Sequence, residues 1–105
     1  MEIKYKSIDN VLYAYLSGDL DEYTAEYVRM SLDTVLSDLS EIAPAKLVLD
    51  FTDVSFMDST GIGILLGRYN KFNKNNISLA IRNASGHVDR ILKMTGIYEI
   101  MPKIS

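Results

Sequence analysis

Glu2-Ile3-Lys4-Tyr5-Lys6 alternates charged and bulky positions, the period of a half-exposed edge strand. Asp9-Asn10 is a turn pair, and Val11 to Leu16 is apolar on both faces. The two runs predict an antiparallel hairpin whose second strand lies inside a sheet. Ser17-Gly18-Asp19 breaks that strand. A helix follows from about Glu22 to Leu39, with Ala25, Val28, Leu32, Val35, Leu36 and Leu39 on one face. Tyr23, Tyr27 and Met30 gather on the opposite face, where a partner surface and a self-association patch are alternative readings. A loop through Pro44 leads to a buried strand over Lys46–Phe51. A second helix runs from about Thr60 to Asn73, with Ile62, Leu65, Leu66 and Tyr69 as its buried stripe. Asn73-Lys74-Asn75-Asn76 stops it. Ile77 to Ile81 reads as a strand, and Ser85 caps a short helix with Val88, Ile91 and Leu92 inward and Gly96 at its end. Tyr98 to Met101 reads as a last short strand or a tail.

The order β-β-α-β-α-β-α, with an optional closing strand, predicts a single α/β domain over residues 1–105. Its sheet is mixed and mostly parallel, entered by an N-terminal hairpin and packed with helices, with right-handed crossovers. Sites in such sheets form at the carboxyl ends of the strands. Three connections are expected to meet there: Gly18 to Glu22, Thr52 to Ser59, and Arg82 to Ser85.

Composition narrows the function classes. The 105 residues are 48% hydrophobic and 24% charged, with a net charge of -3, so no basic footprint points to nucleic acid. The absence of cysteine excludes disulfides and thiolate metal sites. No apolar run is long enough for a bilayer span, and MEIKYKSIDN lacks the apolar block of a signal peptide. The expectation is a cytoplasmic protein with neither nucleic acid nor membrane as partner.

Catalytic readings find little purchase. His87 is the only histidine, and Met57 stands where a nucleophile elbow needs glycine before Ser59. Gly61-Ile62-Gly63 resembles part of a dinucleotide fingerprint, but Gly67 falls one place too late. Asp50, Asp53 and Asp58 surround a strand end in a pattern resembling a magnesium-dependent receiver. No lysine stands just after Ile81, and turn formation near a positive helix end explains these aspartates better. No catalytic residue, metal or cofactor is therefore expected.

Asp58 or Ser59 is a good N-cap for the second helix. A phosphate on Ser59 would lie at the helix's positive end, which favours an anion by about 0.3–1 kcal/mol. Thr60, Gly63, Ile64, Gly67 and Lys71 share one strip of that helix. Two readings of the glycines stand level: a shallow floor for another protein, or packing against the chain's own first helix.

The run Val54-Ser55-Phe56-Met57-Asp58-Ser59-Thr60-Gly61-Ile62-Gly63-Ile64-Leu65-Leu66-Gly67-Arg68-Tyr69 resembles the signature of STAS domains. More narrowly, it is similar to SpoIIAA-type anti-sigma factor antagonists of spore-forming bacteria. Ser17 to Glu26 resembles that family's GxLDxxTA segment, and Met94-Thr95-Gly96-Ile97 its late helix end. The resemblance implies a non-enzymatic switch: the unmodified form binds an anti-sigma factor serine kinase and frees a sigma factor in sporulation. Phosphorylation on Ser59 ends the complex, and a metal-dependent serine phosphatase restores it. Implied partner-binding residues are Asp21, Tyr23, Asp58, Ser59, Thr60, Gly61, Gly63, Ile64 and Gly67, with Asp21 near the serine. Thr60 replaces a serine common in relatives, and its hydroxyl is a competing phosphate acceptor. A STAS partner switch in another stress or phosphatase-regulating pathway is the alternative. The oligomeric state is left open.

Overall fold

The computed structural model describes residues 1–39 and 46–105, the side chain of Leu39 excepted. The Pro44 loop and the inward placing of Leu39 thus lie outside the described residues. The elements are β1 (Glu2–Ile8), β2 (Val11–Ser17), α1 (Ala25–Leu39), β3 (Lys46–Asp53), α2 (Ser59–Asn73), β4 (Ser78–Arg82), α3 (Gly86–Met94), α4 (Ile97–Ile100) and β5 (Lys103–Ile104). They form one five-stranded sheet in the order β1-β2-β3-β4-β5. β1 is antiparallel to β2, with Ile3 opposite Leu16 and Tyr5 opposite Ala14. The other pairings are parallel. Asp9 and Asn10 turn the hairpin with positive φ, a conformation that short polar side chains tolerate.

Alternation along the strands divides the sheet faces. Leu47, Leu49 and Phe51 of β3 join Val28, Leu32, Leu65, Phe72, Val88 and Leu92 from the helices in one core. Val48 and Ala80 are buried but stand outside that core, on the opposite face. Their cover there includes Tyr13 and Tyr15 of β2, with the Arg82 guanidinium 4.6 Å from the Tyr13 ring centre. All the helices thus supply one face, and a polar-aromatic layer roofs the other.

Three expectations need correction. α1 begins at Ala25 rather than Glu22, because Asp21 and Thr24 bond one another and hold a turn over that stretch. The buried residues of α2 are Gly61, Leu65 and Phe72; Ile62 and Tyr69 are half-buried, and Leu66 is 40% exposed. The chain after Gly96 is neither strand nor tail at first: it makes the short helix α4, and only Lys103–Ile104 pairs with β4.

Candidate docking and modification site

The three connections expected at the carboxyl ends of the strands do meet. Leu20 bridges Met57, the Leu20 amide donates to the Phe56 carbonyl (2.9 Å), and the Asp58 amide donates to the Leu20 carbonyl (3.3 Å). Gly18 donates to the Asp53 carbonyl (3.0 Å), and the Ser55 hydroxyl to Asp19 Oδ1 (3.3 Å). The third connection closes in through its helix: the His87 and Phe56 rings stack with centres 5.6 Å apart. His87 thus belongs to the same rim.

Asp50 anchors this rim from beneath. Although only 3% exposed, its carboxylate accepts from the Thr52 hydroxyl (2.6 Å) and amide (2.9 Å), Arg82 Nε (2.8 Å) and Asn83 Nδ2 (3.1 Å). Arg82 in turn donates to the Tyr15 hydroxyl (3.2 Å). Burial alone raises the Asp50 carboxyl and is the largest single influence. The Thr52 hydroxyl and amide, Arg82 and Asn83 together outweigh it and hold the group below its ordinary value. The ends of β3 and β4, from which two rim loops leave, are thereby tied together. This bonding uses up Asp50, so it does not join Asp53 and Asp58 around a cation. No three acidic or histidine side chains cluster to hold a metal among the described residues.

Asp58, not Ser59, is the N-cap of α2, its Oδ1 accepting from the Gly61 amide at 3.1 Å. Ser59 is the first helical residue; it is exposed, and its hydroxyl has no hydrogen-bond partner among the described residues. Gly61 is buried for a steric reason. A Cβ there would lie 2.5 Å from the Leu20 carbonyl oxygen and 2.8 Å from Met57 Cγ. Its contribution is to let the start of α2 press onto the Leu20 segment, not to touch a partner. Gly63 and Gly67 are the opposite case, since among the described residues nothing lies within 4 Å of a Cβ at either place. Of the two readings of these glycines, the open floor is the one the described residues show; none of those of the first helix packs on either position.

The wheel of α2 decides which apolar side chain stands beside Ser59. Ser59, Gly63, Leu66 and Asn70, at spacings of four, three and four, share the pole facing away from Gly61, Leu65 and Phe72. Ile64 packs against the core. Leu66, assigned from sequence to the buried stripe, is the apolar residue in line with Ser59. Thr60 is exposed on the flank toward α1. Asp21 is partly committed: its Oδ1 accepts from the Tyr23 amide (2.9 Å) and the Thr24 amide (3.2 Å). It sits next to Leu20, which brings it to the Ser59 rim through the Leu20–Met57 bridge. Tyr23 is 87% exposed on the same turn.

The rim is electronegative. Asp19, Asp21, Asp53 and Asp58 have no salt-bridge partner among the described residues. An exposed hydroxyl at a helix start, a shallow floor and an unpaired acidic border suit a protein surface that docks and is modified.

A family model described as the STAS domain matches residues 2–105. An anti-sigma F factor antagonist of Paenibacillus polymyxa is 34% identical over 102 residues, 97% of this chain and 85% of that protein. An anti-sigma-B factor antagonist of Listeria monocytogenes is 29% identical over 96% of this chain and 84% of that protein. Among solved structures the fold matches the anti-sigma factor antagonist SpoIIAA in its unphosphorylated form, with TM-score 0.69 and 22% identity over 99% of this chain and 88% of that one. The Bacillus SpoIIAA structure in the phosphorylated form gives TM-score 0.67 and 22% identity, over 99% of this chain and 92% of that one.

Proposed function

The chain belongs to the STAS domain family, and from that premise we propose that it is an anti-sigma factor antagonist switched by phosphorylation of Ser59. STAS antagonists are regulatory binding proteins rather than enzymes. In this reading the unmodified protein binds an anti-sigma factor that is also a serine kinase, and so releases a sigma factor in the cytoplasm. A serine phosphatase resets the modified form. Sporulation is the pathway favoured by the Paenibacillus relative. The stress-type alternative has its own support in the Listeria antagonist of sigma-B control.

The observation that carries the proposal is the freedom of the Ser59 hydroxyl. Because Asp58 performs the capping, esterifying Ser59 breaks no bond the fold depends on. Phosphate brings about -1.5 to -2 charge, and the α2 N-terminus offsets part of it within the molecule. Nothing offsets it at a closely docked surface bordered by Asp19, Asp21, Asp53 and Asp58. A kinase must also bring nucleotide phosphate up to this hydroxyl, so the modified serine faces like charge there. Such juxtaposition costs several kcal/mol, and about 3 kcal/mol already weakens binding by roughly a hundredfold.

The test is intact mass after incubation with ATP and the anti-sigma factor kinase of the same cell. One phosphate on the wild type and none on Ser59→Ala is the expected result. Undiminished phosphorylation of Ser59→Ala, at Thr60 or elsewhere, overturns the assignment.

A further inference from the structure

One flank of the docking helix carries charge of the opposite sign to the rim. Between α1 and α2, Asp33 receives Arg68 Nη1 at 2.8 Å, Lys71 Nζ at 3.3 Å and Arg29 Nη1 at 3.6 Å. Arg29 also pairs with Glu26. Three cations therefore meet two carboxylates, in a chain whose net charge is -3. Arg68 Nε is buried without a hydrogen-bond partner. The Lys71 side chain is 53% exposed, so its ammonium has room for a second anion. This seam borders the open position at Gly67, one helical turn before Lys71.

We propose that this cationic seam receives an acidic side chain of the anti-sigma factor partner, paired chiefly with Lys71 and Arg29. The proposal rests on the docking role of α2 and adds the chemistry of the partner. A carboxylate is favoured over an apolar segment because the local excess is cationic. The seam lies on the α1 flank of the same helix, on the row of Thr60, Gly67 and Lys71 and about a third of a turn round from Ser59, so a partner laid along that side of α2 reaches both. Over the 15 residues of α2 the docking surface runs about 22 Å, from an acidic start to a cationic end. Such an arrangement fixes which way round the partner sits.

The experiment measures the affinity of the same cell's anti-sigma factor for wild type, Lys71→Glu and Ser59→Asp by titration at low and high salt. Thermal melts run alongside. Lys71→Glu is expected to weaken binding by about tenfold at low salt, mostly through slower association, with a shallower salt dependence and a melt lowered by only a few degrees. Arg29→Ala, which leaves Arg68 and Lys71 on Asp33, is expected to weaken it less. If Ser59→Asp loses binding while Lys71→Glu stays within twofold of wild type, the seam proposal falls and the phosphoserine switch survives. If the wild type fails to bind, both fall.

Discussion

At the scale of single residues, Asp58 and Ser59 divide two tasks that one side chain could have combined. Ser59→Ala is expected to change stability by less than about 0.5 kcal/mol, because the capping bond belongs to Asp58. Asp58→Ala is expected to cost about 1 kcal/mol, and urea denaturation of the two variants separates the roles. The glycines make a second contrast. Gly61→Ala meets a backbone carbonyl that cannot step aside, an overpacking worth about 1–3 kcal/mol. Gly63→Ala meets nothing and is expected to stabilise α2 by up to about 1 kcal/mol while weakening the partner complex. A Gly63→Ala protein that melts higher and still binds at full strength would remove the floor from the docking surface. The residue cluster itself was legible, because the VSFMDSTGIG segment is distinctive. The choice between Asp58 and Ser59 as cap was not, since both residue types suit that position and only the geometry decides.

At the scale of elements, the strands and two long helices followed from hydrophobic period, and the errors have local causes. α1 starts late because Thr24 donates to the Asp19 carbonyl at 2.7 Å and accepts from the Asp21 amide at 3.1 Å, side-chain bonds that compete with helix. Leu66 was misplaced because tertiary packing rotated the buried arc of α2 toward Gly61, and a glycine adds no hydrophobic signal to mark that arc. α4 was missed because Gly96, with φ of 78°, ends one helix and begins another. The clamp at Asp50 was invisible, since its partners are 32 and 33 residues away. Removing it by Asp50→Ala is expected to cost about 3 kcal/mol by leaving Arg82 unpaired. Because the Asp50 carboxyl is held low in the folded state, its stabilisation is fully present above the unfolded carboxyl value of about 3.9. It is lost as pH falls through the lower folded value. Urea denaturation between about pH 3 and pH 7 should show the deficit of Asp50→Asn shrinking in acid; a deficit independent of pH contradicts the clamp. A second latch joins α3 to the chain end. The Tyr98 hydroxyl (2.6 Å) and then Lys103 (3.0 Å) meet Asp89 and hold its carboxyl well below the usual range.

At the scale of the whole molecule, the fold is a one-sided sheet whose helices and rim loops present Ser59 on a scaffold already closed by its own backbone bonds. The family and fold class could be read from the chain. The partner's chemistry could not, because the cationic seam joins Arg29 and Asp33 to Arg68 and Lys71 across 35 or more positions. The account holds that phosphorylation changes what the surface repels without changing the shape that carries it. The most direct measurement is the affinity of the same cell's anti-sigma factor for the Ser59-phosphorylated and unmodified proteins, with the circular dichroism of both. The account predicts superimposable spectra and a loss of affinity of roughly a hundredfold or more. Equal affinity for the two forms, or a phosphorylated protein with a rearranged fold, would contradict it.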